Sequence, residues 1–220
     1  MKVFFFVSVL VLFIGVSGAD ELVIDTFSNC FSEKFPNLPC GWGPTQKWRK
    51  VDMYSIEEEK GNHFIKAATD GGVTTIGRPI DFTLNEYPRL SWSWRVHSLP
   101  RGADERKKKK GDSGAAVYVV FKGSFFRNNI LKYVWSTELE SGTLTESPYN
   151  SRTKIVVLRS GEARGGLWLR ESVDLMGDYR RLFNSEPPPV VAIAIMSDGD
   201  NTGSYVEADY DDFRLNGTDK

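Results

Sequence analysis

The sequence has few of the residues, and none of the motifs, from which catalytic and metal-binding sites are usually recognised. Its 220 residues include two cysteines and two histidines, and the scattered His63 and His97 form no zinc-binding pattern with Cys30 and Cys40. There is no Gly-x-Ser-x-Gly motif, phosphate-binding loop, dinucleotide-binding fingerprint or His-Glu-x-x-His motif. These absences count against the corresponding hydrolase, nucleotide-binding and metalloprotease classes.

The charge of the chain is balanced, since 28 basic and 29 acidic residues give a net charge of −1. A nearly neutral chain argues against general nucleic-acid binding, which needs a basic surface. No stretch after residue 19 is apolar enough to cross a membrane, because a spanning helix needs about 20 apolar residues. We therefore predict no nucleic-acid partner and no transmembrane segment. Nothing in the sequence indicates the oligomeric state.

The one long apolar run lies at the N-terminus. Lys2 precedes the apolar residues 3–16, and small residues suited to cleavage follow at positions 17–19. We predict that residues 1–19 are a signal peptide, that residues 20–220 form a single domain, and that the protein is periplasmic or secreted. A retained N-terminal anchor is the alternative. In an oxidising compartment Cys30 and Cys40 are predicted to form a disulfide.

Strand signals recur along the rest of the chain. In residues 89–97, Leu90, Trp92, Trp94 and Val96 alternate with polar residues, which is the pattern of a half-buried strand. Further strands are predicted at residues 22–26, 63–68, 73–76, 115–121, 131–136, 154–158, 167–173, 190–196 and 205–209. Many short strands separated by turn residues predict an all-β fold, an antiparallel β-sandwich or jelly roll.

One short helix is predicted near residues 174–183. Asp174 supplies the N-cap, apolar residues from Leu175 to Phe183 recur at helical spacing, and Asn184 ends the helix ahead of three prolines. The segment that follows, residues 190–196, is apolar in both alternating positions. We predict that it is a central strand covered on both faces.

Oxygen-bearing side chains are concentrated near the C-terminus. Asp198, Asp200 and Asn201 lie in one loop, and Asp212 follows on the next strand. Calcium binds six to eight oxygen atoms, which short loops rich in Asp and Asn supply. These four residues are therefore candidate ligands of a structural calcium ion. The alternative is a hairpin turn, for which Asp-Gly and Asn-x-Gly are also suitable.

Three carboxylates alternate along the last strand. Glu207, Asp209 and Asp211 fall on the same face of a strand, as catalytic carboxylates do in laminarinase-like sandwich hydrolases. They are candidate catalytic residues of a polysaccharide hydrolase or lyase. The alternative is an edge strand protected from aggregation by charge.

Aromatic residues are abundant, with six tryptophans in the chain. Exposed aromatic rings bind sugars by stacking, whereas large rings also fill sandwich cores. The alternation in their strand assigns Trp92 and Trp94 to the core. Trp135, near a strand end, and Tyr149, in a Ser/Pro/Asn loop, are predicted to contact ligand, and Trp42 is a third candidate.

Seven segments resemble a bacterial family of exported proteins, the domain of unknown function 3047. The segments are LSWSWRVHSLPRGAD, GDSGAAVYVVF, LKYVWS, SPYNSRTKIVVLRSG, GDYRRLF, IAIMSDGDNTG and YDDFRL, between about Trp48 and Leu215. The resemblance implies a sandwich fold and export, but no reaction. Positions typical of the family are Trp94, Arg95, Asp112, Tyr118, Trp135, Asp178, Asp198, Asp200, Asn201 and Asp212. The chain lacks the Asp-Asp-Phe-Ala-Ala-Arg that the family tends to carry, and has Gly-Asp-Ser-Gly-Ala-Ala from Gly111 instead.

The leading hypothesis is therefore a non-catalytic, exported module that binds a polysaccharide or another glycan of the cell envelope. Trp135, Tyr149, Arg95 and Asp112 are its predicted ligand contacts. The first alternative is the hydrolase or lyase that would use Glu207 with Asp209 or Asp211. The second is a structural or assembly protein of the envelope, which has no ligand and no turnover.

Overall fold

The computed structural model describes residues 20–28, 30–124, 127–161 and 166–217. The predicted signal peptide, residues 1–19, lies outside the described residues. The strands are β1 (Glu21–Asp25), β2 (Gly43–Pro44), β3 (Tyr54–Glu59), β4 (Asn62–Asp70), β5 (Ile76–Phe82), β6 (Arg89–Ser98), β7 (Ala115–Phe121), β8 (Asn129–Ser136), β9 (Leu144–Ser147), β10 (Asn150–Ser160), β11 (Leu169–Asp174), β12 (Val190–Met196) and β13 (Tyr205–Asn216). The helix α1 covers Leu175–Phe183.

These strands form two sheets, and the predicted β-sandwich of the jelly-roll type is confirmed. The first sheet has the order β11-β6-β13-β4-β3, with β1 paired to the second half of β13. The second sheet has the order β2-β5-β12-β7-β8-β10-β9. The pairings are antiparallel except that β8 and β10 run parallel, which the sequence did not predict.

The core lies between the inner faces of the two sheets. On β6 the alternating residues Leu90, Trp92, Trp94 and Val96 are buried, as their spacing predicts. The rings of Trp92 and Trp94 pack edge to face, with centroids 5.4 Å apart. One large cluster of buried apolar side chains extends from the first sheet across to β7, β8 and β12. A second, smaller cluster of buried apolar side chains lies on the outer face of the second sheet; it contains Ala116, Val134, Leu139, Ile155 and Val157.

The helix α1 follows the prediction closely. The Asp174 side chain accepts a hydrogen bond from the Gly177 backbone N–H at 2.9 Å, and Asn184 ends the helix in the left-handed region at φ 50°. Tyr179 packs on Phe121 at the end of β7, with ring centroids 4.5 Å apart. The helix therefore packs at the Phe121 end of the sandwich, away from the β12–β13 loop that begins beside the other end of β7.

Strand β12 lies between β5 and β7 in the second sheet, as expected for a central strand. Its neighbour β5 begins at Ile76, where the strand predicted at residues 73–76 ends. Strands β3 and β9 were not predicted, because their mostly exposed residues show no continuous apolar alternation.

Cys30 and Cys40 form the predicted disulfide, with their Cα atoms 5.4 Å apart. The Trp42 ring nearby is buried, and its indole N–H donates to Asp25 Oδ2 at 2.9 Å. Trp42 is therefore a core residue, and its prediction as a ligand contact was wrong. Among the described residues, no helix has the length and apolar character to span a membrane.

Candidate functional site

Three connections meet over the outer face of the second sheet. They are the segment before β7 that contains Asp112, the β12–β13 loop, and the turn between β9 and β10 that carries Tyr149. Tyr149 joins the other two, because its hydroxyl lies within hydrogen-bonding reach of Asn201 Oδ1 and of the Lys108 carbonyl, either of which can accept its one proton. Segments far apart in sequence thereby form one surface.

Asp112, Asp198 and Asp200 form an acidic cluster at this junction, with one oxygen from each lying within 4.8 Å of the others. Asp112 is buried, and its two carboxylate oxygens accept hydrogen bonds from the Asn201 and Thr202 backbone N–H groups at 3.1 and 2.8 Å. It therefore holds the β12–β13 loop in place. Asp112 had been predicted to contact a ligand, and its burial contradicts that prediction. The cluster consists of oxygen ligands, the kind that calcium prefers.

The electrostatics of the cluster depend on a buried lysine. Lys132 lies on the outer face of β8, where its ammonium donates to Ser113 Oγ at 3.0 Å. Burial lowers the pKa of Lys132, against the attraction of Glu105, Asp198 and Asp112. Burial, followed by the charge of Asp112, raises the pKa of Asp198 to about 8. A proton, the Lys132 ammonium or a bound cation can each relieve the repulsion between these carboxylates.

Asp212 does not join the cluster, so that part of the predicted calcium site was wrong. It lies in β13 seven residues after Tyr205, which is about 23 Å along an extended strand. Its backbone is left-handed, at φ 55°, where the pairing of β13 shifts between Asp211 and Arg214. Its carboxylate accepts from Arg214 at 2.9 Å. Asp tolerates this conformation better than most residues, so its role is to form a β-bulge.

Two further predicted ligand contacts are structural. Trp135 is 1% exposed, and its ring packs against Trp94 with the centroids 5.9 Å apart. The guanidinium of Arg95 lies 4.9 Å from the ring centroid of Phe64 and 4.6 Å from that of Trp168. Trp135 therefore belongs to the core and Arg95 to the outer face of the first sheet, and neither offers a surface to a ligand at the cluster.

Tyr149 remains a predicted ligand contact. Its side chain is 55% exposed although its hydroxyl is bonded on both sides of the junction. A tyrosine anchored by its hydroxyl presents a ring in a fixed orientation at low entropic cost.

Trp48, which was not among the predicted ligand contacts, is 73% exposed. The Arg49 guanidinium lies over its ring at 4.6 Å from the centroid. The ring borders a surface pocket of about 360 Å³, which we call the Trp48 pocket; its lining is Trp48, Arg49, Lys50, Asp52, Met53, Thr69, Gly72, Val73 and Thr74. The sequence does contain a sign that Trp48 is exposed. Residues 47–50, KWRK, have no apolar alternation, and they place a tryptophan among three cationic residues.

The Trp48 pocket is connected to the acidic cluster through its wall. Val73 pairs with Asp198 in an isolated antiparallel bridge, and the Gly199 backbone N–H donates to the Gly72 carbonyl at 3.2 Å. The position of residues 72–74 therefore depends on the conformation of the β12–β13 loop.

Glu207, Asp209 and Asp211 share the outer face of the first sheet, as their spacing indicates, but all three have partners. Glu207 pairs with Lys66 at 2.5 Å, and Asp209 Oδ2 accepts from Arg95 Nε at 2.6 Å. Asp211 accepts from Asn62 Nδ2 at 2.7 Å. Two of these contacts are ion pairs and the third is a hydrogen bond from a neutral amide. Such contacts stabilise the face of a sheet and do not favour a pair of free carboxylates.

Residues 41–214 match the family model described as a protein of unknown function (DUF3047). The chain belongs to this family. The DUF3047 match includes the Trp48 pocket, Tyr149 and the acidic cluster, and it begins after the disulfide. No curated protein matches the chain.

Several solved structures resemble the chain, with low sequence identity and TM-scores below 0.5. They include TmCBM61 in complex with beta-1,4-galactotriose, with a TM-score of 0.40, 8% identity and coverage of 81% of this chain and 90% of that one. A carbohydrate-binding module specific for non-crystalline cellulose, CBM28, has a TM-score of 0.44, 13% identity and coverage of 80% and 87%. The xyloglucanase domain of NopAA from Sinorhizobium fredii, in complex with cellobiose, has a TM-score of 0.45, 9% identity and coverage of 80% and 93%. Likeness at this level says nothing about a ligand of the DUF3047 chain.

Proposed function

We propose that this DUF3047 chain is an exported, non-catalytic module that binds a glycan at the Trp48 pocket. The observation that carries the proposal is the Trp48 ring, which is 73% exposed beside a pocket of about 360 Å³. An exposed tryptophan ring is a surface on which a sugar can stack, and a sugar offers both an apolar face for stacking and hydroxyls for hydrogen bonds.

The rest of the pocket suits such a ligand. Thr69 and Thr74 supply hydroxyls, Arg49 and Lys50 supply donors, and Asp52 supplies an acceptor. An exposed ring beside both donors and acceptors suits a ligand that has an apolar face and several hydroxyls. The β12–β13 loop contacts the wall of this pocket through Val73 and Gly72, and Tyr149 is bonded to Asn201 of the same loop.

Export belongs to this proposal. The disulfide between Cys30 and Cys40 is of the kind that persists in oxidising compartments. Together with the apolar N-terminal segment, it supports a periplasmic or secreted protein. Detection of the mature chain, cleaved after residue 19, outside the cytoplasm tests this part.

The Trp48→Ala variant tests the site. A stacking contact contributes about 1.5 kcal/mol, so we expect the Kd for the glycan that the wild type selects on an array to rise about tenfold or more. The melting temperature should stay nearly unchanged, because the ring is exposed. Isothermal titration calorimetry and thermal unfolding measure the two effects separately.

Phe31→Ala is the matched control, since that ring is also exposed, at 54%, and lies outside the pocket lining. It should bind like the wild type. Trp135→Ala should instead lower stability by about 3–5 kcal/mol, as expected for a large ring removed from a core. Unchanged affinity in Trp48→Ala would reject this site, and no binding across the array would reject the module in favour of a structural or assembly protein.

The hydrolase or lyase alternative is tested on the same glycans. The release of new reducing ends or unsaturated products, lost in Asp209→Asn, would establish it against our proposal. Binding without any product is the outcome that we expect.

A further inference from the structure

A second surface pocket, of about 500 Å³, lies on the outer face of the second sheet. Its lining is Val120, Arg127, Asn128, Ile130, Asn150 and Arg152, and we call it the two-arginine pocket. The floor is apolar: Val120 and Ile130 are directly opposite each other on β7 and β8. The walls come from the β7–β8 turn and from the start of β10.

The two arginines differ from other arginines of the described residues in their ion pairing. Among the described residues, no carboxylate oxygen lies within 4.0 Å of Arg127 or Arg152, whereas Arg95 and Arg159 are ion-paired at 2.6 and 2.7 Å. Arg152 Nη1 donates a hydrogen bond to the uncharged amide of Asn129, at Oδ1, over 3.3 Å. The described residues that line the pocket include no acidic side chain. The pocket is therefore positive in a chain that is otherwise balanced.

The two asparagines also present mainly donors. Asn128 Oδ1 accepts from the Gly123 backbone N–H, and Asn150 Oδ1 accepts from the Arg152 backbone N–H, both at 3.1 Å. Asn150 Nδ2 also donates to Thr153 Oγ1 at 3.4 Å, which leaves its second N–H. Since the amide oxygens accept within the protein, the groups that mainly remain for a ligand are the guanidinium N–H groups and the remaining amide N–H donors. Such a pocket favours a ligand that offers acceptors and negative charge.

We propose that the two-arginine pocket binds the carboxylate of a uronic acid unit in an acidic polysaccharide. A guanidinium binds a planar carboxylate in bidentate fashion, and about 500 Å³ accommodates one or two sugar rings. Val120 and Ile130 would contact the apolar face of the ring. This inference rests on the proposed glycan-binding function, which it extends by naming a second subsite and the class of polysaccharide.

The sequence order places the pocket beside the surface already described. Asn150 follows Tyr149 directly, and Tyr149 is bonded to Asn201 of the β12–β13 loop. A chain of sugars bound by Arg127 and Arg152 would therefore find an exposed aromatic ring next to its subsite.

The experiment compares trigalacturonate with its methyl ester, which has the same backbone without the charge. We expect the wild type to bind the acid at least tenfold more tightly than the ester by calorimetry. The double variant Arg127→Gln/Arg152→Gln should lose that preference. The control is Arg89→Gln/Arg101→Gln, which removes the same charge at two arginines outside the pocket and should retain the preference.

Equal affinity for acid and ester would overturn the inference, and so would an equal loss in both double variants, which would indicate general charge attraction. A sulfated trisaccharide, inorganic phosphate and single-stranded DNA are titrated in parallel. Preference for any of these over trigalacturonate would reject the carboxylate assignment. If a neutral glycan binds through Trp48 and trigalacturonate does not bind, only this inference fails; if no saccharide binds, the proposed function fails as well.

Discussion

At the scale of the residue, Trp48 and Trp135 show that the presence of a tryptophan in the sequence does not tell whether its ring is exposed or buried. Both were visible in the sequence, and the ligand role was given to the one that is 1% exposed. The alternation that placed Trp92 and Trp94 in the core also applies to Leu131, Tyr133 and Trp135 on β8, which are all buried. Applied evenly, the pattern identifies Trp135 as core and leaves Trp48 as the exposed ring.

Asp211 provides a prediction of pH dependence. It is buried on β13, and burial, followed by the charge of Asp212, raises the pKa of its carboxyl to about 6. A folded-state pKa above the unfolded value gives a stability contribution that is complete below about pH 4 and is lost as the pH rises through 6. A shift of about two units corresponds to about 2–3 kcal/mol.

Asp211→Asn removes the titrating group, so its free energy of unfolding should fall less between pH 4 and 7 than that of the wild type. Urea unfolding at each pH measures the difference. Asp81→Asn, at an exposed position on β5, should follow the wild-type pH profile. If the pH profile of Asp211→Asn is parallel to that of the wild type, the pKa of Asp211 is the same in the folded and unfolded states and the prediction is wrong.

At the scale of the element, local patterns were sufficient where the contacts are local. The cap at Asp174, the left-handed Asn184 and the shared face of Glu207, Asp209 and Asp211 all depend on residues near one another in sequence. The bulge at Asp212 was missed because a bulge inserts a residue without changing composition, and it shifts the direction of every side chain beyond it.

The loop closed by the disulfide is the element whose contribution can be measured most directly. It joins residues separated by 10 positions, and the chain-entropy model gives about 2–3 kcal/mol for a loop of that length. We expect Cys30→Ser/Cys40→Ser to lose that free energy of unfolding in urea. The wild type under reducing conditions should match the variant, whereas a loss in the variant alone would point to a packing defect from the serines.

At the scale of the whole molecule, the sandwich was predictable and its surface was not. Alternating strands and a short capped helix define two layers around one core. The parallel pairing of β8 with β10, and the meeting of Asp112, Tyr149 and the β12–β13 loop, depend on contacts between residues as much as 90 positions apart. No local pattern encodes such contacts, which is why Asp112 and Lys132 were not recognised as parts of one site with Asp198.

The acidic cluster leads to the last prediction, because it lies where these distant segments join. We expect calcium to raise the melting temperature relative to a chelator, since a cation would relieve the repulsion among Asp112, Asp198 and Asp200. At a concentration a hundredfold above Kd the stabilisation is about 2.7 kcal/mol, or several degrees for a domain of this size. Asp198→Asn/Asp200→Asn should abolish the shift in melting temperature.

Binding at the Trp48 pocket should weaken on chelation, because Val73 in the wall of the pocket is bridged to Asp198. Equal melting temperatures with calcium and chelator would instead assign the neutralisation of the cluster to Lys132 and a proton on Asp198.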